Sequence, residues 1–453
     1  MQEFDLIVIG GGSAGLKVAS VVAKQGYRVA VAEERELGGE CFWAGCVPTK
    51  AMIRSAQVWQ MVQNAERFGI KTTDVSASFT QAMAYKNRVM LEVEGDPHSD
   101  AGLSKMGTQL FRSHAALEGL HEVRVGSEVI HGKKIVLATG TVPATPPVPG
   151  LVETGFITNR EATSLTSLPK RLAVLGAGAI GLEFAQAFRR FGAEVTVIEL
   201  GAQILPREDK EVAELAQKYL EREGIRIFTL AQVTKIERDG ANKRLEISEN
   251  GSVHTLYCDE ILVAVGREAA TASLQLESVG LALERGYLKV DPYLRTSVPH
   301  IFAPGDIHGG YLFTHVASYE GKIAAHNLYS PKPLPIDYRV IPRCTFIDPE
   351  IASIGLTETE AEQAGVPFRV LRVDLADMDR HIMHGSPEGI VKILVDARDG
   401  QILGAHIIGH EASSLISEVA ICMQNRLPIS AISNTMHAYP SFPEAIEAAA
   451  LQY

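Results

Sequence analysis

One pattern occurs twice in this chain, and it leaves few folds open. Residues 4–9 are a short, mostly apolar run. Gly10-Gly11-Gly12-Ser13-Ala14-Gly15 follows, then a helical pattern over 16–24 and a second strand pattern over 28–32, closed by Glu33. The pattern returns with a strand at 172–175, the turn Gly176-Ala177-Gly178-Ala179-Ile180-Gly181, a helix over 182–191 and a strand at 194–198 ending in Glu199. In each copy the first glycine (Gly10, Gly176) permits a tight turn. The second (Gly12, Gly178) lets the backbone approach a pyrophosphate, and the third (Gly15, Gly181) lets the helix pack on the strand. The helix N-terminus offers free N–H groups to phosphate. Glu33 and Glu199 each follow their first glycine by 23 residues, where a carboxylate accepts from ribose hydroxyls. Two such βαβ units predict an α/β chain with two Rossmann-like dinucleotide-binding domains and two bound dinucleotides.

Past residue 335 the character changes. Strand patterns at 345–355, 389–395 and 402–408 and a helix over 413–424 predict a C-terminal α+β dimerisation domain. A Pro-rich stretch, 143–149, reads as an inter-domain connection. The apolar runs 135–140 and 261–266 end in Gly140 and Gly266 and are suited to carrying the chain from one domain to the next. Net charge is −11, from 43 basic and 54 acidic residues, and no basic run supplies phosphate contacts, which excludes a duplex nucleic acid partner. No run of about 18 apolar residues marks a membrane span. Met1-Gln2-Glu3 leads straight into a strand without a basic leader, and five cysteines in 453 residues fit a reducing cytoplasm rather than a disulfide-stapled secreted domain.

Only Cys41 and Cys46 are close in sequence, within Cys41-Phe42-Trp43-Ala44-Gly45-Cys46-Val47-Pro48-Thr49-Lys50. The pair reads as chemical; Cys258, Cys344 and Cys422 read as buried thiols. The spacing suits a small redox loop and is not a usual zinc spacing, and no second ligand pair accompanies it, so no metal site is expected. Cys46 precedes a helical pattern with Pro48 in its first turn, a position that favours thiolate. Met378 to His384 contains two His and two Met and reads as a solvated loop or a soft-metal site.

The chain resembles the flavoprotein disulfide reductases, the group of lipoamide dehydrogenase, glutathione reductase and mercuric reductase. The resemblance runs over almost the whole length. Its carriers are the two glycine turns, Gly38-Gly39-Glu40-Cys41 through Lys50, Ala138-Thr139-Gly140 and Ala303-Pro304-Gly305-Asp306. It implies FAD as the first nucleotide and NAD(P)H as the second. The implied division is an FAD-binding domain over 1–145, an NAD-binding domain over 146–265, a return FAD segment over 266–333 and an interface domain over 334–453. By resemblance Cys46 is the charge-transfer thiol and Cys41 the interchange thiol. Lys50 and Glu183 match a pair beside the reactive edge of the flavin, and Asp306 matches the acid on the ribityl chain. Gly39, Thr139, Gly140 and Gly266 belong to the implied cofactor set. A homodimer is implied, with the C-terminal segment completing the site of the other subunit. Glu199 would repel a 2′-phosphate by roughly 3 kcal/mol per charge at about 5 Å, so NAD(H) is expected.

The departures from the family lie in the same regions. Relatives carry a His before the Pro of the C-terminal segment; here Tyr439 stands there, with Glu444 at its usual offset and His437 two residues early. A tyrosine titrates near 10 and a histidine near 6.5, so a basic phenolate is scarce at pH 7. Mercuric reductases resemble the chain in this Tyr, but their terminal vicinal cysteines and N-terminal metal domain are absent from the sequence. Trp43 replaces a common Asn, and Ala179 a common Tyr. The expected activity is FAD- and NAD-dependent dithiol–disulfide exchange like that of dihydrolipoyl dehydrogenases, on a protein-bound lipoyl group or a small disulfide. The alternatives are a mercuric-reductase-like metal or small-disulfide reductase, and a weakly catalytic flavoprotein subunit that docks a lipoyl-carrying protein.

Overall fold

The computed structural model describes residues 1–93 and 100–453. Contacts gather the chain into two compact units. One comprises Met1–Ala51, Ala84–Ala144 and Gly266–Asp337; the other comprises Met52–Met83, Thr145–Val265 and Tyr338–Tyr453.

The first unit is built on a seven-stranded sheet. Its central strand, Gln2–Ile9, runs parallel to Val29–Ala32 and Glu128–Leu137. Ile7 and Ile9 face one layer, with Ile135, Leu137 and Ile307. Leu6 and Val8 face the other, with Val18, Val22, Ala324 and Leu328. Both faces are covered, so the strand reads as a continuous apolar run rather than an alternation. The returning segment adds Ile301–Phe302 as a parallel partner of Glu128–Leu137. It also lays the helix Thr314–Tyr329 on the helix Ser13–Ala23 at backbone distance: a Cβ on Gly321 would lie 2.7 Å from the Ala14 carbonyl oxygen.

The second unit holds a four-stranded parallel sheet in the order Arg226–Phe228, Glu194–Ile198, Arg171–Leu175, Glu260–Val263. Phe184, Phe188 and Leu182 of the helix Ala179–Arg190 cover one face. A three-stranded antiparallel meander, Ala231–Asp239, Asn242–Glu249 and Ser252–Cys258, covers the other through Val233, Leu245 and Leu256. A five-stranded antiparallel sheet with the helix Ala412–Gln424 completes the unit around Ile354, Ile393, Ile407 and Val419. Among the described residues, one carboxylate group, Asp209, Glu211 and Glu358, is close enough to share a cation. The Lys392 ammonium already fills it, 2.9 Å from Asp209, 3.4 Å from Glu211 and in direct contact with Glu358.

Three local expectations need correction. The strand expected over 345–355 is two, Arg343–Thr345 and Glu350–Gly355, because Pro349 has no N–H for a ladder. Cys344 is half-buried, on the edge strand of its sheet, whereas Cys258 and Cys422 are buried. The stretch read as a loop at 378–384 contains the helix Asp379–His384. Its His381 is fully buried, with its ring 4.9 Å from that of Phe442.

Candidate active site

The two glycine turns show which glycines the protein itself requires. Gly10 and Gly176 have φ of +106° and +99°, and a Cβ there would lie 2.4 Å and 2.5 Å from the carbonyl oxygens of Ala138 and Ala264. A Cβ on Gly15 or Gly181 would sit 2.0 Å or 2.2 Å from the carbonyl oxygen of Gly10 or Gly176. The middle glycines differ. A Cβ on Gly12 would meet only the Gly39 Cα at 3.9 Å, and one on Gly178 would meet nothing within 4 Å. Packing does not demand these two, and the open space beside each is what the close approach of a pyrophosphate would need. Gly12 and Gly178 are also the N-caps of the helices Ser13–Ala23 and Ala179–Arg190, and neither has a side chain to cap the first-turn N–H groups, which fits an anion there.

Each turn is braced by its acid in the same way. Glu33 accepts from the N–H of Gly11 (2.7 Å) and of Arg35 (2.8 Å). Glu199 accepts from the N–H of Ala177 (2.8 Å) and of Gly201 (2.7 Å). Both carboxylates thus stand at the end of the second strand, beside the turn. Ala179 opens its helix half-buried, with no ring to close over the turn.

Cys41 lies in the short helix Gly39–Trp43, and Cys46 is the first residue of the helix Cys46–Gln63. Gly45 allows the reversal between them: a Cβ there would be 2.9 Å from the Glu40 carbonyl oxygen and 3.1 Å from the Cys41 Cα. Neither sulfur is in a disulfide; Cys41 is half-buried and Cys46 exposed. They lie in hydrogen-bond contact. That contact, followed by burial, pushes the Cys41 thiol well above the usual range, as expected of two sulfurs that cannot both ionise easily. The Thr314 hydroxyl stands 3.7 Å from the Cys46 sulfur, at the first residue of the helix Thr314–Tyr329. The Trp43 indole N–H donates to the Leu37 carbonyl (2.8 Å), and its ring meets Phe42 edge-on, which fixes it by packing. Lys50 follows Cys46 by one helical turn, and Thr139 donates to the Ala270 carbonyl. Asp306 accepts from the Thr141 hydroxyl (3.2 Å), and burial raises its pKa.

The remaining candidates lie in the second unit. Glu183 is buried and accepts from the Phe346 N–H at 2.9 Å. Tyr439 is 69% exposed. Its O–H donates to Asp379 (2.9 Å), which holds the phenol above its ordinary pKa. His437 turns inward: its ring is 2.9 Å from Glu418, 3.0 Å from the Thr435 carbonyl and 3.5 Å from Glu447. Burial is the largest influence and opposes its charge, but the bond to Glu418 and the charges of Glu418 and Glu447, with the Thr435 carbonyl, together outweigh it and raise its pKa. Glu444 accepts from the Ser441 N–H at 2.6 Å.

The sequence pattern described as pyridine nucleotide-disulphide oxidoreductase matches residues 4–321, and that of its dimerisation domain matches residues 341–450. The chain belongs to this family. Dihydrolipoyl dehydrogenase of Chlorobaculum tepidum is 36% identical over 460 residues, covering 99% of this chain and 96% of its own. Mercuric reductase of Staphylococcus aureus is 31% identical over 452 residues, covering 100% of this chain and 82% of its own. The solved Cu(II) complex of the HOCl-induced flavoprotein disulfide reductase RclA from Escherichia coli matches with a TM-score of 0.90 and 29% identity, over 100% of both chains. As a pyridine nucleotide-disulphide oxidoreductase, the protein is an FAD-dependent dithiol–disulfide oxidoreductase that uses NAD(H), and it carries the family's dimerisation domain as a homodimer. No helix among the described residues is long and apolar enough to cross a membrane.

Sequence reasoning missed Thr314, which reaches the thiols from 268 residues away and belongs to no local motif. It also missed Arg267, which directly follows Gly266 and pairs with Glu40. The available signal was an arginine placed right after an apolar strand and its glycine.

Proposed function

We propose that the N-terminal turn takes FAD and the second turn NAD(H), and that Cys41 exchanges with a lipoyl-type dithiol or disulfide carried on a partner protein. The observation that carries this reading is the contact between the Cys41 and Cys46 thiols beside the first turn. Gly10, Gly12, Gly15 and Glu33 would hold the first dinucleotide, with Gly39, Thr139, Gly140 and Asp306 around it. Gly176, Gly178, Gly181, Glu199 and Gly266 would serve the second. FAD supplies the two-electron relay between the nicotinamide and the thiol pair.

In the reducing direction the Cys41 thiolate attacks one sulfur of the outer disulfide. A mixed disulfide forms, and the other outer sulfur leaves as a thiolate that takes up a proton. The Cys46 thiolate then attacks Cys41, closes the Cys41–Cys46 disulfide and releases the second outer thiol. NADH restores the dithiol. Lys50 and Glu183 are assigned to the flavin edge, where a cation favours added negative charge. Tyr439, with Glu444, is the proton donor to the leaving outer thiolate, and His437, held by Glu418 and Glu447, supports that segment. A reducing cytoplasm suits the five cysteines, none of them in a disulfide.

The phenol gives the reading its test. Tyr439 holds its proton through neutral pH, so oxidation of dihydrolipoamide depends on thiolate already present in solution. With NAD⁺ and dihydrolipoamide, kcat/KM should rise about tenfold per pH unit between pH 7 and 9. A plateau governed by a group near pH 6.5 would overturn the role of Tyr439. No turnover with lipoamide or dihydrolipoamide at any pH would overturn the lipoyl reading. A metal-ion or small-disulfide reductase is the second reading, favoured by Tyr439 in the family's His position, and NADH oxidation driven by Hg(II) or by a small disulfide would support it.

A further inference from the structure

We propose that Glu40 and Arg267 are a positioning pair that fastens the thiol-bearing helix to the FAD cradle and balances the charge there. The inference rests on FAD occupying the first turn. Glu40 directly precedes the outer thiol Cys41 in the helix Gly39–Trp43. Gly39, just before it, packs on the middle glycine of the cradle: a Cβ on Gly39 would lie 3.0 Å from the Gly12 Cα. The Glu40 carboxylate therefore stems from the rim of the turn where a pyrophosphate approaches. A bare carboxylate in that position repels phosphate oxygens.

Arg267 answers that charge. Its Nη2 is 3.1 Å from Glu40 Oε2, with the two side chains only 14% and 24% exposed. The same guanidinium donates from Nε to the Thr141 hydroxyl oxygen (2.7 Å) and from Nη2 to the Thr141 carbonyl (2.8 Å). An arginine can only donate. The Thr141 oxygen must accept from it, and its own proton is left for Asp306, 3.2 Å away. The donor directions are thus fixed along a line from Glu40 through Arg267 and Thr141 to Asp306. Backbone contacts hold the arginine in place. Its strand Arg267–Ala269 pairs with Thr141–Pro143, and its carbonyl accepts from the Tyr287 O–H at 2.9 Å. One planar fork therefore ties residue 40 to residues 141 and 306, and a lysine cannot reproduce that geometry.

Loss of Arg267 alone takes the guanidinium away from the Glu40 carboxylate and the Thr141 oxygens beside the cradle. Loss of both partners removes the offending charge along with its cation. The test compares Arg267→Met, Glu40→Gln, Arg267→Lys and the double variant Glu40→Gln/Arg267→Met as purified holoproteins. FAD release is followed by flavin fluorescence and folding by thermal unfolding. Arg267→Met should raise the FAD dissociation constant about tenfold or more, and the double variant should recover to within about threefold of the native protein. Arg267→Lys should fall between Arg267→Met and the native protein. Native FAD retention in Arg267→Met, or a double variant no better than Arg267→Met, would overturn the pair. If the native chain bound no FAD, the cofactor assignment itself would fail, and that outcome is separable because it appears before any substitution.

Discussion

At the first turn the chain Gly38-Gly39 stands behind Gly12, and at the second nothing stands within 4 Å of where a Gly178 Cβ would be. Otherwise the two turns share their strained first glycine, their backbone-packed third glycine and an acid with two backbone bonds. The first turn is further bounded by the thiol helix and by the returning helix Thr314–Tyr329 on Ser13–Ala23. The difference suits one dinucleotide that stays and one that comes and goes.

The largest effects should come where the two turns are alike. Gly15→Ala and Gly181→Ala each force a methyl into a backbone oxygen and should each lower stability by about 3 kcal/mol in denaturant titration. A near-native result in either would break the equivalence of the turns. Next comes selectivity. Glu199→Ala should improve kcat/KM for NADPH relative to NADH by about a hundredfold, since it removes a repulsion of roughly 3 kcal/mol. The matching Glu33→Ala should leave that ratio unchanged. A change of equal size from Glu33 would reverse the assignment of the two nucleotides.

The middle glycine should separate binding from stability. Gly178→Ala should stay within about 0.5 kcal/mol of native stability, while KM for NADH rises about tenfold. Equal losses of stability and binding would show that packing, not the nucleotide, requires the glycine. Smallest is Thr314→Val, which removes a hydroxyl from beside Cys46 at nearly constant volume. It should raise the pH midpoint of the long-wavelength thiolate–flavin band by about half a unit, and an unmoved midpoint would show that the hydroxyl does not favour the thiolate.

The legible parts of this fold are the ones buried on both sides. The strand read at 4–9 is Gln2–Ile9, and that read at 194–198 is Glu194–Ile198. Parallel strands covered on both faces have no choice but continuous apolar sequence. The meander Ala231–Cys258 gave no such signal. One of its faces meets solvent, and its charges pair along its strands, Lys235 with Glu237 and Arg244 with Glu246, and across them, Arg244 with Glu237. The strand Phe368–Asp374 was missed for a related reason: it lies at a sheet edge and shows exposed Arg369 and Arg372. At the site, Cys41, Cys46 and the glycines were legible because short-range geometry dictates them. Thr314 and Arg267 were not, because their partners are set by topology and lie 268 and 227 residues away.

Gly45 has a consequence for how the protein changes oxidation state. With no room for a Cβ between the Glu40 oxygen and the Cys41 backbone, the segment holds both sulfurs in reach before any bond joins them. Closing the ring then asks for side-chain torsions and little else. The electron exchange is confined to a few ångströms of local rotation, and the rest of the scaffold can stay still through every cycle.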